Sequence, residues 1–317
     1  MEETFEKSFS VSPKLLKQLS VKSDFRGWCQ TLSHLGAIFI CTIGLVLTWG
    51  SVIAVPLFLL QGILINCLYA GVHELSHNTV FKTRGLNEFF GRLFTFFLLM
   101  GRDQDKFEHF QHHRHTQDVE LDAEIIGSKP FTLVSYILYM SAITYWPKRI
   151  GEVLRLAAGQ TRYWPWLSEP QLKTVQKEAR FMLLGYGVIL IISILLGTAA
   201  ALKFWLLPMF LMKWFQNLQN TAEHLGMPHV QDILVNTRTI EAHPIMQWLL
   251  WNMPYHMAHH SYPMIPFHKL STLHGGVVET FGAELPTVTH INFQKHMIRK
   301  LIKEGTSSYT GHDITTY

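Results

Sequence analysis

Charge is what this sequence has least of. Only 16% of its 317 residues are Asp, Glu, Lys or Arg, while 48% are hydrophobic, a balance poor in charge for a soluble protein. None of the four occurs from Gly27 to Val72, and none from Phe181 to Leu202. The first gap is too long for one bilayer crossing, which takes about 20 apolar residues, and Trp49-Gly50-Ser51 offers a break within it. Cysteine is also scarce: Cys29, Cys41 and Cys67 form no CxxC, so neither disulfides nor a thiolate metal site is indicated. The charged N-terminus lacks an early apolar core, so no cleavable signal peptide is expected. Repeats, linkers and a Gly-rich nucleotide fingerprint are missing too, and one domain over 1–317 is expected.

The apolar runs predict an all-α integral membrane protein with four transmembrane helices in two hairpins, at 32–49, 52–71, 181–202 and 204–218. The fourth carries Lys213, which must snorkel or face protein. Pro56 and Pro208 are expected to bend their helices. Put the N-terminus, residues 72–180 and everything after the fourth span on one side. That side then holds 26 of the 27 Lys and Arg if Lys213 snorkels to it, with only Lys203 opposite, which marks it as cytoplasmic. Residues 1–30 form a cytosolic N-terminal segment, with an amphipathic piece around Leu15, Leu16 and Leu19 suited to the membrane surface. Residues 82–180 are too long for a plain loop and read as a cytosolic helical cap. Phe131 to Trp146 is apolar enough to suggest a span, but an extra crossing would strand the chain after it on the wrong face, so a re-entrant or interfacial helix is expected. Phe293 to Lys303 reads as a basic amphipathic helix and 306–317 as a disordered tail. The net charge of +4 is spread through juxtamembrane segments, which suits anionic lipid head groups rather than nucleic acid.

What the chain has in excess is histidine, eighteen of them, and their spacing is the informative part. His73-Glu74-Leu75-Ser76-His77, His109-Phe110-Gln111-His112-His113 and His256-Met257-Ala258-His259-His260 place imidazoles at i, i+3 and i+4, one face of a helix. Eight imidazoles exceed the four ligands of one tetrahedral zinc. They suit two metal ions that imidazole binds well, with iron the leading candidate for oxygen chemistry. His115 falls off the shared face, and His243, His268 and His274 are expected to be structural. The first cluster also matches the HExxH of zinc metalloproteases, in which Glu74 would be the general base. An intramembrane zinc protease explains that cluster but leaves two HxxHH clusters without a purpose. A metal store would not need one enclosed ligand set.

The three clusters, their order and the four-span layout resemble the membrane fatty acid desaturase family, in which the clusters run HxxxH, HxxHH and HxxHH. The resemblance covers about Gly71 to His274 and includes the flanks His113-Arg114-His115-Thr116-Gln117-Asp118 and Ser261-Tyr262-Pro263. It adds His224, a lone His beside the metals, with Asn220 four residues earlier holding a water. It thus implies nine ligands: His73, His77, His109, His112, His113, His224, His256, His259 and His260. Metal-bound His usually donates its other ring N–H to a carboxylate or carbonyl, for which Glu74, Asp118, Asp122 and Glu223 are best placed.

The function implied is an O2-dependent lipid (fatty acyl) desaturase with two iron ions as cofactor and O2 as co-substrate. A hydroxylase or ketolase acting on alkanes, sphingoid bases or carotenoids is the alternative within the superfamily. The third cluster begins with His256 rather than the Gln of front-end desaturases, and His243-Pro244-Ile245-Met246 is no His-Pro-Gly-Gly haem motif. Electrons are therefore expected from a separate donor, cytochrome b5 or a ferredoxin with its reductase. The expected location is a bacterial inner membrane or the ER, with the active site and termini on the cytoplasmic side.

Overall fold

The computed structural model describes residues 11–125, 130–281 and 285–306; of the tail expected at 306–317, all but residue 306 lies outside them. The architecture is all-α, and the charge-free runs become its longest helices. After α1 (Pro13–Leu19), α2 (Asp24–Thr48) and α3 (Ala54–Ser76) form a packed pair. Ser23 caps α2 through its side chain, and Gly50 at φ +91° turns the chain between the two. Then come α4 (Arg84–Phe97), α5 (Arg102–Arg114), α6 (Leu133–Met140), α7 (Tyr145–Ala157) and α8 (Glu169–Leu195). A five-residue π-helical stretch, Leu202–Leu206, leads into α9 (Leu207–His224). The remainder is short: α10 (Ile233–Asn236), α11 (Pro244–Leu249), α12 (His256–Ser261), α13 (Leu270–Phe281) and α14 (His290–Glu304). Strands β1 (Thr239–Glu241) and β2 (Thr287–Thr289) pair in parallel, Thr239 opposite Thr287.

Among the described residues, three helices are long and apolar enough to cross a membrane: α2, α3 and α8. The fourth expected span, 204–218, falls on the π stretch and α9, and Lys213 there faces protein rather than snorkelling. It is buried, with its Nζ donating to Gln216 Oε1 at 2.6 Å and lying 4.1 Å from the Tyr145 ring centroid. Pro208 sits where the π stretch gives way to α9. Pro56, by contrast, lies in the first turn of α3, where a missing N–H leaves no bond unmade and no bend is required.

The segment 131–146 is not one helix. It divides into α6 and the start of α7, with Ala142 at φ +58° between them. The N-terminal piece packs on the protein: Leu19 is buried, and the Val11 N–H donates to the Tyr262 hydroxyl at 3.1 Å. Helix α14 likewise buries Phe293, Met297 and Leu301 against α9 and α6.

Two polar devices fix the helices that carry histidines. Helix α5 begins after Gly101 with no side-chain cap of its own, and the carboxylate of Glu178 on α8 accepts from the N–H groups of Arg102, Asp103 and Gln104 at 2.7–3.4 Å. This satisfies donors that a helix start leaves orphaned and sets a negative charge at the positive end of the helix dipole. On α2, His34 is buried within the charge-free run. It joins Trp251 Nε1, which donates to Nδ1 at 2.9 Å, to the Leu64 carbonyl, which accepts from Nε2 at 2.9 Å. The approach to α12 is thereby pinned, and Trp251 and Asn252 are held in consecutive left-handed conformations, φ +51° and +61°. Such residues are strained and persist only where packing determines them.

Candidate metal centre

Each histidine cluster arrives on its own element. His73 lies on the last turn of α3 and His77 at its C-cap; His109, His112 and His113 lie on α5; His224 ends α9; His256, His259 and His260 share α12. The structure brings all nine together, in two adjoining groups. His73, His77, His109, His113 and His259 form one, and His112, His224, His256 and His260 the other, with ligand atoms within 4.8 Å of one another in each. The His113 and His260 rings stack across the boundary at 4.1 Å. His115 stays out of both groups, as its position on α5 predicts, and His243 instead caps α11.

The rings converge through Nε2. His73 and His259 stand 2.8 Å apart, His77 and His109 2.7 Å, and His224 and His256 2.9 Å, Nε2 to Nε2. His113 Nε2 meets three others, those of His109, His77 and His259, at 2.9–3.2 Å. One ring nitrogen carries at most one proton, so hydrogen bonds cannot satisfy this pattern. A cation between facing lone pairs can. Metal–imidazole bonds of about 2.0–2.1 Å put neighbouring ligand atoms of an octahedral site about 3 Å apart, which matches these separations. The donor set thus fits metal ions bound by neutral imidazole.

Electrostatics prepare that form. Burial, reinforced by the neighbouring imidazoles, holds His109, His113, His256, His259 and His260 well below the usual histidine range, and therefore uncharged. His112 is the exception. Burial opposes its charge, but Glu124 and Asp122 override this and push it up to about 9.

Behind the rings stand the groups that orient them. Asp122 is fully buried and takes His112 Nδ1–H at 2.9 Å together with the N–H groups of Gln117 and Glu124 at 3.0 Å. Glu74 lies 3.2 Å from His259 Nδ1 and Glu223 3.4 Å from His256 Nδ1. Both are within ion-pair reach, although neither pair is aligned as a hydrogen bond. His224 Nδ1 faces the Asn236 carbonyl at 3.3 Å and His260 Nδ1 the Thr116 hydroxyl at 3.3 Å. Asp118, expected in this role, does not reach a histidine. Its carboxylate accepts from the N–H groups of Glu120 and Leu121 and closes a turn.

Glu124 takes a place that sequence reasoning missed, 3.7 Å from His109 Nδ1. Asp118 and Glu124 are both acids in the loop after α5, and only the path of that loop decides which turns inward. Asn220 lines a cavity of about 180 Å³ with His73, His112, His224 and His256.

Glu74 distinguishes hydrolysis from oxygen chemistry. A protease base must face the metal-bound water, yet Glu74 lies on the Nδ1 side of His259, away from the converging Nε2 atoms, and takes the Thr79 hydroxyl. Glu74→Gln is therefore expected to loosen metal, by about 10–100-fold as for other groups that orient a ligand, while Glu74→Asp keeps most of the activity. Metal titration of the two variants checks this. Full occupancy with no activity in Glu74→Gln would point to Glu74 acting as a base.

The family model described as fatty acid desaturase matches residues 15–292 of the chain. A comparison with curated proteins gives no match.

Proposed function

The chain belongs to the fatty acid desaturase family, and from that premise we propose that it is an integral membrane lipid desaturase with two iron ions held by the nine histidines. The observation that carries the reading is the meeting of nine imidazoles in two groups through Nε2, a donor set for two metals rather than one. Bound iron supplies the power to remove two hydrogens from adjacent carbons of an acyl chain, with O2 and two electrons and two protons yielding two waters. The residues of this chain do the rest. His73, His77, His109, His113 and His259 hold one ion and His112, His224, His256 and His260 the other, while Asn220 holds a water beside them. Asp122, Glu74, Glu223 and Glu124 fix the rings from behind, and the surrounding helices exclude bulk water. The whole chain acts as one domain, and its electrons come from a separate donor, cytochrome b5 or a ferredoxin with its reductase.

Purified from iron-replete cells, the protein should carry about two irons per chain. Lipid profiling with and without it should show a new double bond, whereas an added hydroxyl or keto group would identify the hydroxylase or ketolase chemistry of the same superfamily. One tightly held zinc, with peptidase activity lost on chelation, overturns the assignment.

The helix Leu207–His224 and its π-helical lead-in serve as the fourth span, so that both termini and 82–180 lie on the cytoplasmic side of an inner or ER membrane. A reporter fused after Lys148 should read out as cytosolic. An external readout would rule this topology out.

A further inference from the structure

Beside the metal centre lies a second cavity, of about 420 Å³, that reaches His109, Glu124 and Asn220 and is walled by α5, α7 and α9. For a site where a hydrocarbon chain is expected to react, its lining is unusually charged, and the charges are of both signs. Lys213 contributes from α9 and Arg149 from α7, while Asp105 and Glu108 contribute from α5. Lys213 lies on the proposed fourth span, and an ionisable residue at membrane depth marks a functional pathway unless a partner neutralises it. Here its Nζ donates to the Gln216 carbonyl and lies over the ring of Tyr145, and among the described residues no carboxylate comes within ion-pair distance, Asp105 acting on it only from farther off.

Arg149 pairs with Glu152 at 3.2 Å, yet its Nε is buried with no hydrogen-bond partner. Among the described residues Glu108 accepts one hydrogen bond, from Gln104 at 3.1 Å, with Arg149 near enough to act on its charge but not in ion-pair contact. Asp105 is 8% exposed, and among the described residues no hydrogen bond or ion pair reaches its carboxylate. Burial, reinforced by Glu108, pushes Asp105 up to about 7. An unpartnered buried acid and an under-satisfied guanidinium lining one cavity leave a place for a ligand that brings both complements.

We propose that this cavity holds the polar end of the substrate and that this end is zwitterionic, an ammonium group facing Asp105 and Glu108 and an oxyanion facing Arg149 and Lys213. The proposal rests on the oxygenase reading and deepens it, since the cavity meets the metal chamber at Asn220 and Glu124. The reacting carbon then lies within a short reach of the polar end rather than far down an aliphatic chain. The chemistry can come from an aminophospholipid head, with a phosphate, or from an α-amino acid group, with a carboxylate.

Binding separates these and is independent of turnover. The metal-loaded protein in detergent is titrated with lysophosphatidylethanolamine, 2-aminohexadecanoic acid, hexadecanoate and hexadecylamine. At least one zwitterion should bind roughly tenfold or more tightly than either singly charged probe, the scale of one charge-assisted hydrogen bond, and the tighter of the two names the source. Asp105→Asn should erase the advantage of the zwitterion over hexadecanoate without weakening hexadecanoate. Arg149→Gln should weaken the zwitterion and hexadecanoate together and spare hexadecylamine. Equal binding of all four probes by the unaltered protein, tighter binding of either singly charged probe, or a uniform loss across probes in Asp105→Asn overturns the proposal. Iron content and lipid profile report on the oxygenase reading separately, so the two can fail independently.

Discussion

His259→Ala is expected to purify with less than its two metal ions and without detectable lipid-modifying activity. Its Nε2 is the meeting point of two clusters, 2.8 Å from that of His73 and 3.1 Å from that of His113. Helix α12 is therefore tied to α3 and α5 through this one ring. The ring is fully buried, so no solvent ligand replaces it without water entering the packed site. The opposite nitrogen faces Glu74, also fully buried. Removing the ring also leaves a cavity in a buried site beside that carboxylate, and large-to-small changes in packed interiors commonly cost about 2–5 kcal/mol. Metal loss and a fall in thermal midpoint should thus appear together. His243→Ala is the control, because His243 is exposed and only caps α11; its metal content should stay at that of the unaltered protein. If His259→Ala retained both ions, the five-histidine group would not be a ligand set.

The site was more legible in the sequence than its supports. The i, i+3, i+4 spacing of His109, His112 and His113 and of His256, His259 and His260 is a property of any helix, so same-face clustering followed from sequence alone. Which metal each ring serves did not follow. His112 separates from His109 and His113 to join His224, His256 and His260, because which ring meets which partner depends on how the helices pack, and packing is tertiary. The supports depend on loops: Asp118 and Glu124 differ only in where the chain turns after Gln117, at φ +68°. Helix α9 shows the same limit. Hydropathy marked an apolar run there, but the π stretch and the inward turn of Lys213 depend on what α3 and α7 present to it. The parallel pairing of β1 and β2 joins three-residue segments 48 positions apart in register, Thr239 with Thr287, too short for any alternation of side chains to be read.

Gly62→Leu is expected to yield no folded protein, and Gly62→Ala a protein destabilised by about 1–3 kcal/mol, as overpacking commonly costs. A methyl group at Gly62 would stand 2.2 Å from the Pro208 carbonyl oxygen and 2.5 Å from Met212 Cγ. Met212 can shift, but the carbonyl is backbone and cannot. Helices α3 and α9 thus approach closely at Gly62, and polar groups on either side hold them there. Pro208 has no N–H to give the Phe204 carbonyl one helical turn back, and Gln61 Nε2 donates to that carbonyl instead, at 3.1 Å. One turn further along α3, Asn66 Nδ2 donates to the Met209 carbonyl at 2.8 Å. Any added side chain pushes the helices apart and breaks these bonds inside an apolar packing layer. It also displaces His73 and His77 from His224, since the same two helices carry them. Replacing glycine by alanine in a helix gains about 0.5–1 kcal/mol of backbone entropy, which is smaller than the overpacking term, so the clash prevails. Gly36→Ala in α2 provides the contrast, because nothing lies within 4 Å of its added methyl and only the entropic gain remains. Thermal unfolding and metal content of the two alanine variants should therefore move in opposite senses: both lower for Gly62→Ala, and unchanged or higher for Gly36→Ala. Equal midpoints would mean that α3 and α9 do not pack this closely.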